Sequence, residues 1–192
     1  MAAITSELIK ELRERTAAGM LDCKKALTEN DGDMDASIDW LRKKGLSAAA
    51  KKSGRVATEG TITIEVASDA KKATISEVNC ETDFVGQNEN FIEFCGTTTA
   101  HIHTSGIKTV DELLASTING NAFSDHLSVT ISKIGENIVV RRFAEVSVGE
   151  NGSVSAYKHA NGKIGVIVAA ECDSANTAQA VTGVLKDIAM HA

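Results

Sequence analysis

The chain has 192 residues, 43% hydrophobic and 24% charged, with a net charge of −6, an ordinary balance for a chain that buries one large core or two small ones. No apolar run approaches the roughly 18 residues that cross a bilayer, and Met1-Ala2-Ala3-Ile4-Thr5-Ser6-Glu7 opens with neither a basic region before an apolar block nor an Arg-rich pattern, so neither a secretory signal nor a transit peptide is read and the cytoplasm is the expected compartment. The cysteines at 23, 80, 95 and 172 form no C-x-x-C pair, which predicts buried thiols and neither a metal nor a cofactor.

Charge is spread unevenly. Residues 1–55 carry 11 Lys and Arg against 9 Asp and Glu, and the remainder 9 against 17. An acidic body disfavours direct nucleic-acid binding, which needs a concentrated basic face, so a protein partner is expected.

Taken in chain order, Ile4, Leu8 and Leu12 recur every four residues, with Glu11 and Arg15 spaced as an i,i+4 ion pair, and predict a first helix to about Thr16. Ala17-Ala18-Gly19 breaks it. Met20, Cys23 and Leu27 mark the expected buried stripe of a second helix, Asn30-Asp31-Gly32-Asp33 a turn and N-cap, and Met34, Ile38 and Leu41 a third stripe. Residues 1–45 thus read as a three-helix domain. A basic, Ala-rich linker follows over 46–59, helical at most at its start, whose Lys and Arg are too few on one face to grip phosphates.

The period then changes. Thr61 to Val66 alternates strictly, Lys71-Lys72 turns, and Ala73 to Val78 returns as the second strand of a hairpin. Phe91, Phe94, Cys95, Thr98 and Ile102 keep helical spacing, Thr109 and Glu112 form a capping box, and Phe123, Leu127, Ile131 and Ile134 predict another helix before a long strand over 137–148. An offset of 92 residues aligns Gly60-Thr61-Ile62-Thr63 with Gly152-Ser153-Val154-Ser155 and Cys80-Glu81 with Cys172-Asp173. The reading is a duplicated module, 60–149 complete and 150–192 partial. The second copy has its hairpin and one helix, with Val181, Val184, Leu185 and Ile188 as the expected apolar face. So small a piece is poorly stabilised alone, which implies completion by self-association with another chain or by a longer polypeptide.

The two copies differ at Cys80-Glu81-Thr82-Asp83-Phe84-Val85, where the second has no Asp-Phe pair. The hairpin itself therefore does not require that pair. Phe84 is either the first core residue of the next helix or stands out on the turn before it.

The run Leu12-Arg13-Glu14-Arg15-Thr16-Ala17-Ala18-Gly19-Met20-Leu21-Asp22-Cys23-Lys24-Lys25-Ala26-Leu27, with Glu77-Val78-Asn79-Cys80-Glu81-Thr82-Asp83-Phe84-Val85 and Ile134-Gly135-Glu136-Asn137-Ile138, resembles bacterial elongation factor Ts. The resemblance implies an α+β fold: an N-terminal three-helix bundle of the ubiquitin-associated type, then a core of two related hairpin-plus-helix subdomains with antiparallel sheets, here with the second incomplete. It implies a guanine nucleotide exchange factor, acting without covalent chemistry, that promotes GDP release from elongation factor Tu. The same resemblance places Thr82, Asp83, Phe84 and Val85 next to the GTPase's Mg²⁺ and phosphate site, sets Arg13, Met20 and Leu21 against its GTPase domain, and gives His159 a further contact. Ala17 and Leu21 depart mildly from the family pattern, with glycine and methionine usual there. Family members also continue past the equivalent of Ala192, which makes exchange by this stretch a matter for measurement.

Two other classes compete. A hydrolase built on Cys80 lacks a neighbouring histidine and a glycine-rich oxyanion turn. A tethering module without exchange activity is separated from an exchange factor only by kinetics.

Overall fold

The computed structural model describes residues 4–16 and 18–192; Met1–Ala3 and Ala17, which the leader and helix-break readings include, lie outside the described residues. Among the described residues the chain alternates helices with antiparallel strands, a mixed α+β fold, and divides into two units.

The first unit joins the segment ending at Val56 to Ser116–Asn137. Helix α1 (Ser6–Thr16) carries the Arg15–Glu11 pair at 2.6 Å, one turn apart as its spacing requires. Helix α2 (Met20–Glu29) buries Cys23, Ala26 and Leu27. Met20, expected on that stripe, is 60% exposed. It opens α2, and side chains lean toward a helix's N-terminus, so it projects past the packed turns.

Helix α3 (Met34–Ala50) is capped by Asp33, whose carboxylate accepts from the Ala36 N–H at 2.9 Å after a turn with Asp31 and Gly32 at positive φ. It runs on through Ala48-Ala49-Ala50, since alanine is the best helix former, and so takes up the first part of the basic stretch. Leu12, Ala18, Cys23, Ala26, Leu27 and Leu41 form the core, flanked by Met34, Ile38 and Trp40.

Ser116–Asn137 belongs with this bundle and not with the strands on either side of it in sequence. It contains the two-residue strands β3 (Thr117–Ile118) and β4 (Asn121–Ala122), joined through Asn119-Gly120 with both φ positive, and then a helix. That helix, numbered α7 in chain order (Phe123–Ile134), crosses α3 where Gly45 faces the Ser128 backbone.

The second unit comprises Ala57–Ala115 and Ile138–Ala192. Strands β1 (Glu59–Val66), β2 (Lys72–Cys80) and β5 (Val139–Ser147) form an antiparallel sheet in the order β1-β2-β5, with a bulge in β5 at Arg141, opposite Glu77 and Val78. Alternation separates its faces. Thr74 and Ser76 point to helix α5 (Glu89–Ser105), bonding His103 Nδ1 at 2.9 Å and Thr99 Oγ1 at 2.6 Å.

On that helix Phe91, Phe94, Cys95, Thr98 and Ile102 are all buried, as their spacing predicts. Helix α6 (Val110–Ala115) opens with the expected capping box: Thr109 Oγ1 accepts from the Glu112 N–H at 3.1 Å, and Glu112 accepts from the Thr109 N–H at 3.3 Å.

On the opposite face Ile62, Ile64 and Ile75 meet Gly165, at the start of the second strand of the second hairpin, β6 (Gly152–Lys158) with β7 (Gly165–Glu171). Helix α8 (Ala175–His191) covers β6, with Ser153 bonded to Thr182 at 3.0 Å. The expected α8 face is corrected. Ala178, Leu185 and Ala189 are buried, while Val184 and Ile188 are 55% and 48% exposed. The alanines let the helix backbone close onto the strands, which turns the larger residues outward.

No described helix is long and apolar enough to cross a membrane, and no group of metal-binding side chains occurs among the described residues.

Candidate functional site

The site is built at the end of β2, where the chain must turn from strand to helix. Thr82 sits in extended backbone and caps a single helical turn, α4 (Asp83–Gly86), with its hydroxyl accepting from the Val85 N–H at 3.4 Å. The Thr82 carbonyl accepts from Gly86 N–H at 3.2 Å, Phe84's from Gln87 at 3.3 Å and Val85's from Asn88 at 2.9 Å. Asn88 then caps α5 through the Asn90 N–H at 2.9 Å. Two consecutive caps hold the turn, and Phe84 stands on it 84% exposed. This excludes the reading of Phe84 as the first core residue of α5. Asp83 beside it is also exposed, while Val85 is half-buried.

An open cleft of about 910 Å³ lies beside the turn, walled by Glu81, Thr82, Asp83, Phe84 and Gln87 on one side and by Ala160, Asn161 and Lys163 on the other, with Glu59 between. The far wall is the tip of the β6–β7 hairpin, where Gly162 has φ +69. Its position is fixed: the Gly162 carbonyl accepts from the Ile62 N–H at 2.7 Å and from Thr61 Oγ1 at 3.2 Å, and Lys163 pairs with Glu59.

The structure therefore brings Thr82, Asp83 and Phe84 to one cleft with the second hairpin's tip, while Val85, grouped with them in the sequence, does not line it. His159 adjoins that tip without lining the cleft; it is exposed, with Nδ1 bonded to Tyr157 Oη at 2.8 Å and the two rings edge to face. The wall residues Asn161 and Lys163 escaped the sequence reading of the site, although Asn-Gly, the pair at 161–162, is of the kind that favours a hairpin turn. The long-range Glu59–Lys163 pair left no sequence signal.

Within the first unit, Arg13, Met20 and Leu21 are all exposed, Leu21 at 82%. Leu21 follows Met20 in the first turn of α2, and both project from the end of the bundle. The Cys23 thiol just behind them is pushed up by burial, an effect that the Thr16 hydrogen bond opposes and the Asp22 charge reinforces, while the Arg13 charge opposes it.

Cys80 and Cys95 are fully buried, and burial, with the nearby Cys80, pushes the Cys95 thiol up to about 12. Such thiols suit a packed interior and not nucleophilic catalysis, which needs an accessible thiolate.

Comparison with known proteins adds to this geometry. The model of the family described as Elongation factor TS matches residues 81–192. Elongation factor Ts of Campylobacter concisus is 52% identical over 189 residues, covering 98% of this chain and 53% of its own length. The protein of the same name from a Nitratiruptor species is 53% identical, with 98% and 62% covered, and that from Nautilia profundicola is 50% identical over 191 residues, with 100% and 62% covered. The chain thus spans between half and two thirds of the length of these curated relatives.

Proposed function

This chain belongs to the elongation factor Ts family, and from that membership we propose that it works in translation elongation as a guanine nucleotide exchange factor, binding elongation factor Tu in its GDP form and promoting GDP release. The observation that carries this reading is the exposure of Phe84 on a doubly capped turn. A large apolar ring held out in solvent by a rigid support stabilises nothing in its own fold and suits insertion into a partner.

A GTPase holds its nucleotide through phosphate-loop amides and Mg²⁺. In our reading Phe84 acts as a wedge that shifts the elements around that site, and Asp83 brings a carboxylate close to the metal. Neither competes for the nucleotide's own atoms. No bond is made or broken, so the factor is not an enzyme in the covalent sense, and it needs no cofactor of its own. Thr82 and Val85 flank and seat the pair, Arg13, Met20 and Leu21 make a second contact with the GTPase domain, and His159 makes a weaker one. No direct nucleic-acid contact is proposed, and the cytoplasm, where elongation proceeds, is the proposed compartment.

We read the three-helix bundle as ubiquitin-associated-like, and the hairpins β1–β2 and β6–β7 as copies of one module, on the strength of the 92-residue offset. The functional test is the release rate of a fluorescent GDP analogue from elongation factor Tu with and without this chain. Strong acceleration supports exchange; binding without acceleration supports the tethering alternative.

A further inference from the structure

We infer that Cys80 is a positioning residue for the Phe84 turn, an inference that rests on the exchange reading above. The turn is supported through three small residues, its own Gly86 and, beneath it, Gly60 and Cys80. Cys80 is fully buried at the end of β2, and its Sγ–H donates to the Thr82 carbonyl at 3.1 Å. That carbonyl also accepts the Gly86 N–H, the bond that closes α4. The thiol therefore holds the carbonyl that closes the first bond of the turn, and it does so from a fully buried position.

Of the other two, Gly86 lies over Gly60 and Cys80 at ordinary van der Waals range, and Gly60 has no room for a side chain. A Cβ on Gly86 would lie 3.6 Å from the Gly60 carbonyl and 4.0 Å from Cys80 Sγ, and a Cβ on Gly60, whose φ is +140, would lie 2.1 Å from the Val78 carbonyl. The strand ends are tied together next to this support by Asn79 Nδ2, which donates to the Glu59 carbonyl at 2.9 Å. Phe84 thus projects from a turn whose inner side is tied to Cys80 by that thiol's hydrogen bond. Its aim, on which insertion depends, follows from that contact. The second copy has cysteine at the equivalent place, Cys172, but no aromatic to hold there.

The test compares Cys80→Ala, Cys80→Ser and Phe84→Ala, singly and with Cys80→Ala combined with Phe84→Ala. One readout is fluorescent GDP release from elongation factor Tu, resolved into the saturating rate and the half-saturating concentration. The other is amide hydrogen exchange of residues 85–88 in the chain alone. Cys80→Ala should lower the saturating rate about 2- to 10-fold, the worth of one neutral hydrogen bond, and speed amide exchange in the turn by a similar factor. Cys80→Ser keeps a donor and should recover most of both. In the Phe84→Ala background Cys80→Ala should cause no further slowing.

Equal slowing in that background would overturn the inference, because Cys80 would then act by another route. Unchanged amide protection in Cys80→Ala would overturn it whatever the exchange assay gives. Failure of the unaltered chain to accelerate release, with turn protection responding as expected, would count against the exchange reading and leave the positioning of the turn supported.

Discussion

Removing the Phe84 ring should separate folding from function. With 84% of the residue already in solvent, Phe84→Ala deletes almost no intramolecular contact, and its effect on unfolding free energy should stay within about 0.5 kcal/mol, as for surface substitutions generally. Insertion into a partner recovers the burial that the fold leaves unused. Fully burying a phenylalanine is worth about 1.5–3 kcal/mol, and scaling by the exposed share leaves about 1.3–2.5 kcal/mol, a factor of roughly 10 to 70. Stopped-flow release of a fluorescent GDP analogue from elongation factor Tu, over a range of factor concentrations, should show that loss in the saturating rate divided by the half-saturating concentration. Thermal melting by circular dichroism should superimpose on that of the unaltered chain. Release unchanged within twofold would refute the wedge, and a melting midpoint lowered by many degrees would show that the ring supports the fold after all.

Gly60→Ala should be costly for a backbone reason, since the new Cβ meets the Val78 carbonyl at 2.1 Å and the residue's φ is +140; a loss of at least about 2 kcal/mol by denaturant titration is expected. Burial alone would raise the Glu145 carboxyl, but Lys108 and Lys72, at 2.8 and 2.7 Å, outweigh it and hold it below its usual 4.5. Its contribution is therefore present above that value and lost as pH falls through the lowered one, so Glu145→Gln should lower stability by about 1 kcal/mol at neutral pH and by progressively less as the solution is acidified. Iodoacetamide at neutral pH, followed by peptide mass spectrometry, should label half-buried Cys172 first and leave Cys95 unmodified, since burial holds that thiol near 12. Rapid labelling of Cys80 would instead revive the hydrolase reading. Leu21→Ala, at an 82% exposed position, should weaken binding to elongation factor Tu by about 1 kcal/mol with no change in melting.

Periodicity made most elements legible because each carries its own stripe. The α5 residues Phe91, Phe94, Cys95, Thr98 and Ile102 face the sheet as their spacing requires, and Thr109 with Glu112 caps α6 in the expected way. What a stripe omits is the identity of the surface it meets. The stripe of α7 was plain, but nothing local says that it packs on α3 across Gly45 and Ser128.

Size also misled. In α8 the smallest apolar residues, Ala178 and Ala189, lie inside and Ile188 outside, because close approach to a strand rewards small side chains over large ones. At the candidate site, comparison of the two stretches offset by 92 residues singled out Asp83 and Phe84 without coordinates. The opposing wall could not be found that way, since Lys163 meets Glu59 only through tertiary folding.

The proposed entry of the Phe84 turn into elongation factor Tu beside the bound nucleotide is open to a photo-cross-link. Placing benzoylphenylalanine at position 84, irradiating the complex with GDP-bound elongation factor Tu and mapping the adduct by mass spectrometry should give cross-links to the elements around the Mg²⁺ and phosphate site. Cross-links confined to another surface, or none from a complex shown to have formed, would contradict insertion of Phe84 beside the nucleotide.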